Sequence, residues 1–145
     1  IFTSLRRPGL RARYQRPCRH VLYRRGCWLD KEDFALVAEA TAVAGNVVTV
    51  PDAASAPAGD FFTGMILAPD GTYRFITAHS GASITLQRPI QTLTEALADG
   101  PVEVVLYPGC DRTSTRCKDR FNNLNNFGGF KYIPIRNPFD GSSIA

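Results

Sequence analysis

Short runs of alternating apolar and polar residues fill the middle of the chain, and turn-forming residues separate them. Gly45-Asn46 divides the first run, and Pro69-Asp70-Gly71 separates the second from the third, as is typical of tight hairpin turns. This pattern predicts a small, mainly antiparallel β domain, barrel-like or sandwich-like, across residues 30–106. The runs predicted to form strands are residues 40–50, 61–67, 72–79, 82–86 and 102–107.

The elements outside these strands are expected to be short. Asp30 is followed by two further acids, a pattern typical of a helix start, and one helical turn is expected there. Residues 53–59 are predicted as a loop with little to pack, and residues 91–99 as a helical turn or an extended connection. From Cys110 onward the chain is polar and rich in Gly and Asn, which predicts a loop-rich lobe.

Length and composition fit one globular domain. The chain has 145 residues, 44% hydrophobic and 21% charged, so it can bury a core and is not of the disordered class. No run approaches the ~20 apolar residues of a membrane span, so direct membrane insertion is not expected. We expect a single domain over residues 1–145, comprising a basic arm (1–29), a β core (30–106) and a second lobe (107–145). Without an initial Met or a signal peptide, the sequence is expected to be the C-terminal part of a longer chain.

Positive charge is concentrated at the start of the chain. Residues 1–29 carry eight arginines and no acid, whereas the rest of the chain carries nine basic and thirteen acidic residues. Such a block indicates a nucleic-acid or phosphate partner, a solvated arm, or an arm docked on an acidic neighbouring subunit. Because Arg suits planar and stacked contacts, part of this arm is expected to be folded. The eight are Arg6, Arg7, Arg11, Arg13, Arg16, Arg19, Arg24 and Arg25.

Four cysteines form two pairs at opposite ends of the chain, Cys18 with Cys27 and Cys110 with Cys117. Both pairs lie in polar, turn-prone segments, unlike inert buried cysteines. Three alternatives are open: ligation of a metal or cluster, two disulfides, and four unconnected thiols. Eight and six residues intervene within the pairs, more than in zinc knuckles but enough to surround an iron–sulfur cluster. Ligation is favoured, and spacing separates zinc from iron only weakly.

Neighbouring residues favour thiolates over disulfides. Four thiolates around an oxidised cubane leave a net negative charge, which nearby cations would compensate. Gly26 and Gly109 each precede a cysteine, where the missing Cβ allows close backbone approach and amide N–H groups directed at sulfur. The flanking cations are Arg16, Arg19, Arg24, Arg25, Arg112, Arg116 and Lys118.

Other candidate residues are fewer. His20 could complete a three-Cys, one-His zinc site, although a supporting role beside such a site is commoner. His79 has no acidic neighbour in sequence and is expected to be structural. Trp28 follows Cys27 and would either shield the site from water or pack in the core. No nucleophile, paired-carboxylate or phosphate-loop motif is present, so no enzymatic activity is predicted.

Three segments at the two ends of the chain carry a resemblance to a known family. They are residues 16–27 (RPCRHVLYRRGC), residues 107–117 (YPGCDRTSTRC) and residues 120–130 (RFNNLNNFGGF). Together they resemble the C-terminal domain of tail-tip hub proteins of tailed phages and gene transfer agents, and more distantly the minor tail protein L of lambda-like phages. The middle of the chain agrees in its rhythm of strands and turns more than in its residues.

The resemblance implies a [4Fe–4S] cluster bound by Cys18, Cys27, Cys110 and Cys117, with Zn²⁺ as the second option. A cluster that joins both chain ends would stabilise the lobe around it. The residues expected beside the ligands are Arg19, His20, Arg112 and Trp28. The apolar residues expected to cover the cluster region are Phe121, Leu124, Phe127 and Phe130.

The same resemblance implies a structural role in a phage tail tip or baseplate hub, linking the distal tail to the central tip protein. Expected partners are the distal tail ring and the central hub or fibre-bearing protein, within a homo-oligomer such as a trimer around the tail axis. The expected location is the virion, after assembly in the bacterial host cytoplasm, with no specific nucleic acid bound. The alternative is a zinc-containing nucleic-acid-binding module that uses the arginine-rich arm.

Overall fold

The computed structural model describes residues 14–134 and divides the chain into two compact units. The first, here called the β unit, is His20–Asp111. The second, here called the terminal unit, combines Ile1–Arg19 with Arg112–Ala145, and its described residues are 14–19 and 112–134. Four of the eight arginines in the basic arm lie outside the described residues, namely Arg6, Arg7, Arg11 and Arg13.

Seven strands form one antiparallel sheet in the β unit. Their order in the sheet is β1-β7-β4-β5-β6-β3-β2. The predicted mainly β, antiparallel fold with few short helices is thereby confirmed. The strands are β1 (Leu36–Ala40), β2 (Ala42–Ala44), β3 (Val47–Thr49), β4 (Met65–Leu67), β5 (Tyr73–Ser80), β6 (Ser83–Leu86) and β7 (Val102–Tyr107).

The sheet curls into a nearly closed barrel. Its two outermost strands, β1 and β2, are consecutive in the chain, and only Thr41 separates them. The two edges of the sheet must therefore come together. Strand β5 contributes to the curvature, because a register shift between Ile76 and Ala78 divides it. Its first residues pair with β4, and its later residues pair with β6.

Alternating residues of the strands fill the interior of the β unit. Ile84 and Leu86 on β6 both point inward, as predicted from their spacing, and Val104 and Leu106 do the same on β7. Burial of such apolar surface is the main favourable term in folding. The largest fully buried side chains are Tyr107, Phe61, Ile66, Ile76, Ile84, Leu86, Leu93 and Leu106.

Truncation of Ile66 tests this core. Ile66 lies on β4, is fully buried, and pairs in register with Arg74 and Leu106 on the neighbouring strands. Ile66→Ala is expected to lower the free energy of unfolding by about 2–5 kcal/mol, because it leaves a cavity in a packed interior. Val37→Ala, on the 59% exposed face of β1, is the control and should cost less than about 0.5 kcal/mol. Denaturant titration measures both, and equal losses would contradict this account of the core.

The two predicted hairpin turns are confirmed. Gly45 between β2 and β3 and Gly71 between β4 and β5 have φ angles of +63° and +80°, which glycine adopts readily. The Asp70 carboxylate accepts hydrogen bonds from the Thr92 hydroxyl (2.6 Å) and from the Thr72 amide and hydroxyl (both 2.8 Å). These bonds, that from Thr92 most of all, hold the pKa of Asp70 below its usual value.

The helices of the β unit are short, as expected. A single 3-10 turn, Glu32–Phe34, follows Asp30, whose Oδ1 accepts the Glu32 backbone N–H at 3.1 Å. The alternatives for residues 91–99 are decided in favour of a helix, α1 (Gln91–Ala96). No helix within residues 14–134 is long and apolar enough to cross a membrane.

Two predictions about the β unit need correction. The loop expected to have little to pack begins inside a 3-10 helix, Pro51–Ser55, and Ala53 is fully buried in the core, so the prediction is wrong there. Strand β4 begins at Met65 rather than at Phe61, because the chain first turns, with the Gly64 amide donating to the Phe61 carbonyl at 2.8 Å.

The terminal unit brings the two ends of the described chain together. The Cys18 amide donates to the Arg112 carbonyl at 2.9 Å, and the Phe130 amide donates to the Gln15 carbonyl at 3.0 Å. The lobe is loop-rich, as predicted, but it also contains α2 (Ser114–Asp119), which the sequence pattern did not predict. A 3-10 turn, Leu124–Asn126, follows.

Candidate metal centre

Each structural unit contains one cysteine from each of the two sequence pairs. Cys18 and Cys117 belong to the terminal unit, and Cys27 and Cys110 belong to the β unit. All four lie within the described residues and are present as thiols rather than as disulfides. The fold therefore regroups the cysteines, so that residues far apart in the chain share a unit.

Cys18 is buried beneath the glycine-rich loop of the terminal unit. Its Sγ accepts a hydrogen bond from the backbone N–H of Gly128 at 3.2 Å. A Cβ on the next residue, Gly129, would overlap the Arg16 carbonyl oxygen and approach the Phe127 ring. Glycine at 129 thus allows the loop to pack on the segment that carries Cys18. The Gly128 amide is thus directed at the Cys18 sulfur.

Cys117 lies in the second half of α2 and is half-buried. Its Sγ–H donates to the carbonyl of Asn123 at 3.2 Å, while the Asn123 amide donates to the Cys117 carbonyl at 2.9 Å. Asn123 is itself buried, at 8% exposure. The asparagine-rich segment after α2 is therefore folded against the cysteine and fixes its position.

The N-cap of α2 is a testable part of this arrangement. The Thr113 side chain accepts the backbone N–H of Arg116 at 3.1 Å, which satisfies one donor at the start of the helix. Thr113→Ala is expected to destabilise the protein by about 1 kcal/mol, whereas Thr113→Ser retains the acceptor and should cost little. Thermal unfolding measures both variants. An equal loss for Ala and Ser would show that the hydroxyl does not cap the helix.

Cys27 follows a tight turn in the β unit. Its amide donates to the Arg24 carbonyl at 3.0 Å, and Gly26 has φ of +99°. A Cβ on Gly26 would overlap the imidazole of His20, so glycine at this position lets the ring pack against the turn. The predicted approach of the Gly26 backbone to a sulfur-bound group stays a prediction. His20 thus lies beside the cysteine turn, and its supporting role stays a prediction.

Immediately before Cys110, two backbone segments pack closely against each other at Gly64 and Gly109, an arrangement here called the glycine crossing. A Cβ on Gly109 would overlap the Phe62 carbonyl oxygen and lie 2.5 Å from the Gly64 nitrogen. A Cβ on Gly64 would in turn overlap the Tyr107 carbonyl oxygen. The backbone at Gly109 therefore lies against the segment 62–64, and its amide donates to the Asp60 carbonyl at 3.0 Å rather than to a sulfur. This crossing fixes the chain immediately before Cys110.

A long-range hydrogen bond joins the two cysteine segments of the β unit. The Tyr23 hydroxyl donates to the Pro108 carbonyl at 2.9 Å, across 85 positions of sequence. Tyr23 lies four residues before Cys27, and Pro108 lies two residues before Cys110. Segments from the two ends of the chain thus meet in this unit as well.

The remaining candidates differ in their exposure. Arg19 and Arg112 are exposed in the terminal unit, and Arg112 has φ of +65°. Trp28 is 67% exposed, so the alternative that it packs in the core is wrong. His79 is buried, its Nε2–H faces the carbonyls of Ala53 (3.2 Å) and Gly81 (3.0 Å), and it is structural, as predicted.

Sequence reasoning missed a compact polar group near the start of the β unit. The Lys31 ammonium donates to the Tyr73 hydroxyl at 2.6 Å and pairs with the Glu32 carboxylate at 3.0 Å. Tyr107 donates to both oxygens of Glu32, each at 3.3 Å. The Tyr73 contact, followed by that with Glu32, raises the pKa of Lys31, and burial raises the pKa of Tyr107. The residues are too distant in sequence for any motif to reveal the group.

The four thiols fit the chemistry of a thiolate-bound metal or cluster. They are soft ligands, and the sulfur of Cys18 accepts a backbone N–H. Within the described residues of either unit, no three His, Cys, Asp or Glu side chains form a group for a single metal ion. Among the described residues, the two cysteines of each unit therefore belong to no such group.

Comparison with known proteins places the chain in a family. A family model described as "Phage conserved hypothetical protein BR0599" matches residues 59–137, more than half of the chain. The chain belongs to this phage family. The region that matches the BR0599 family includes Cys110, Cys117 and the asparagine-rich loop. The predicted phage origin is confirmed, and the more specific tail-tip resemblance stays a prediction. No curated protein matches the chain.

The fold of this BR0599-family member is shared with a solved structure. A chain of the "Virion of native gene transfer agent (GTA) particle" is similar over 100% of this chain, with a TM-score of 0.68 and 23% sequence identity. The match covers 54% of that chain, so the present sequence spans about half of its length. At this identity the similarity shows a common fold.

Proposed function

We propose that this protein is a structural component of a phage virion, located in the tail tip or baseplate hub and stabilised by a [4Fe–4S] cluster. The proposed ligands are Cys18, Cys27, Cys110 and Cys117. In this role the protein links the distal tail ring to the central tip or fibre-bearing protein. The role is mechanical rather than catalytic, because what it requires is a rigid fold with surfaces for neighbouring subunits.

The observation that carries this proposal is the fold similarity, across the whole chain, to a chain of a gene transfer agent virion. Membership of a phage family supports it independently. The cysteine motifs at 16–27 and 107–117, which resemble those of tail-tip hub proteins, supply the more specific location. Since this chain spans about half the length of that structural relative, the proposal concerns only the role of these 145 residues.

The cluster, when bound, supplies iron–sulfur bonds that fix four positions of the chain. Ligation requires each thiol to lose its proton, so the Sγ–H of Cys117 no longer donates to Asn123. The Gly128 amide already donates to the Cys18 sulfur. Arg16 and Arg116, close in sequence to these cysteines, would balance the added negative charge.

Exposed aromatic residues on the terminal unit support contacts with other subunits. Tyr132 is 91% exposed, and Phe130 is 39% exposed and lies against Tyr14 with ring centroids 3.9 Å apart. Aromatic residues are enriched at protein interfaces because they bury large areas with little loss of side-chain freedom. We place these residues at the contacts of a homo-oligomer around the tail axis or with the adjoining tail proteins.

The location is tested on purified particles. An epitope-tagged chain should restore particle assembly in a producer that lacks the gene, and gold-labelled antibody should mark the distal end of the tail. Particles carrying the untagged chain control for antibody specificity. Label over the head or along the tail shaft would contradict the tail-tip location. Absence of the chain from purified, fully assembled particles would contradict the virion role itself.

A further inference from the structure

An open groove of about 930 Å³ lies on the β unit. Its lining is residues 21–25, residues 28–31, Met65 and Tyr73. The volume lies at the upper end of the range of about 300–1,000 Å³ that is usual for small-molecule pockets. No cysteine side chain lines this groove.

Two bulky residues of the groove have a left-handed backbone conformation, which such residues seldom adopt. Tyr23 and Trp28 have φ angles of +59° and +58°. For L residues this conformation costs about 1–2 kcal/mol, and such strain is concentrated at functional sites. The Arg24 carbonyl holds the turn in place by accepting the amides of Cys27 and Trp28, both at 3.0 Å. The result is an indole that is 67% exposed, beside a 60% exposed Val21.

The charge of the groove is unbalanced. Three cationic side chains and one anionic side chain line it. The Lys31 ammonium is paired with the Glu32 carboxylate, and the Asp30 carboxylate accepts a hydrogen bond from the backbone N–H of Glu32. Arg24 and Arg25 are exposed at the rim and form no ion pair with another described residue. The rim therefore offers two guanidinium groups to an acidic ligand.

We propose that this groove binds an acidic segment of another virion protein, which inserts an apolar side chain beside Trp28 and pairs its carboxylates with Arg24 and Arg25. Trp, Tyr and Arg together are the typical composition of strong protein contacts. The exposed apolar surfaces of Val21 and Trp28 favour a protein segment over a nucleic acid, because a protein segment can bury an apolar side chain against them. This inference rests on the proposed virion role and adds the chemistry of one partner.

Site-directed photo-cross-linking in assembled particles tests the proposal. Trp28 is replaced by p-benzoylphenylalanine, particles are purified and irradiated, and the cross-linked peptides are sequenced by mass spectrometry. The expected result is a cross-link to one segment, rich in Asp and Glu, of a different virion protein. Arg24→Glu together with Arg25→Glu should reduce that cross-link at least tenfold. The same probe at Val37, an exposed residue on β1 outside the groove, is the matched control and should not reach that segment.

Three outcomes would overturn the inference. They are a cross-link to packaged DNA, a cross-link to a second copy of this chain, and the absence of any cross-link from a chain that is present in the particles. Failure of the virion role is distinguishable, because the chain would then be missing from the purified particles altogether. The amount of the variant chain in the same particles is measured by quantitative mass spectrometry, so a loss of cross-linking through misfolding would be recognised.

Discussion

Replacing Cys110 with serine is expected to give a protein without bound iron and with a greatly reduced free energy of unfolding. The two cysteine pairs lie about ninety residues apart, and a cross-link of that span removes roughly 4–5 kcal/mol of unfolded-chain entropy by the disulfide estimate. A loss of this size is a large fraction of the stability of one domain. Iron analysis and denaturant titration on the same sample measure the two effects together.

Thr115→Ser, on the exposed surface of α2, is the control for this variant, because it trims a side chain without removing a thiol. Chelation of iron from the wild-type protein should reproduce the loss of stability seen with Cys110→Ser. If Cys110→Ser unfolded at the wild-type denaturant concentration, the cysteine cross-link would have no structural role.

The second large effect is expected at Gly109. Gly109→Ala places a methyl group against the Phe62 carbonyl and the Gly64 amide, and backbone atoms cannot rotate aside as a side chain can. The expected loss is about 3 kcal/mol or more, the upper range for overpacking. Because the crossing precedes Cys110, iron content should also fall. Thermal and denaturant unfolding measure the stability change.

Gly71→Ala separates this effect from the general cost of replacing glycine. A Cβ on Gly71 meets nothing within 4 Å, so only its φ of +80° opposes the substitution, at a cost of about 1–2 kcal/mol. Gly64→Ala, on the other side of the crossing, should match Gly109→Ala. A Gly109→Ala variant as stable as Gly71→Ala would show that the crossing relaxes freely.

The strands and turns of the β unit could be predicted because their signals are local. Gly45 and Gly71 adopt the backbone conformation that the hairpins require, and β7 begins and ends where the apolar run does. By contrast, α2 is only six residues long and has no apolar periodicity, so its one sequence signal was the capping residue Thr113. The burial of Ala53 could not be predicted, because it depends on which part of the sheet the 3-10 helix Pro51–Ser55 covers.

The candidate site could be predicted as a set of residues but not as an arrangement. Sequence identified all four cysteines and the glycines beside two of them. It could not show that Cys18 shares a unit with Cys117, since that depends on how distant segments meet. The glycine crossing of Gly64 and Gly109 and the strained backbone of Trp28 also arise from tertiary contacts.

The central claim is the four-cysteine iron–sulfur cluster, and metal analysis with a visible absorption spectrum on protein purified without oxygen tests it most directly. The account predicts about four irons and four sulfides per chain, with a brown colour that is lost on oxidation. One zinc per chain without colour would contradict the cluster and favour the nucleic-acid-binding alternative. Metal-free protein with oxidised cysteines would contradict ligation of any kind.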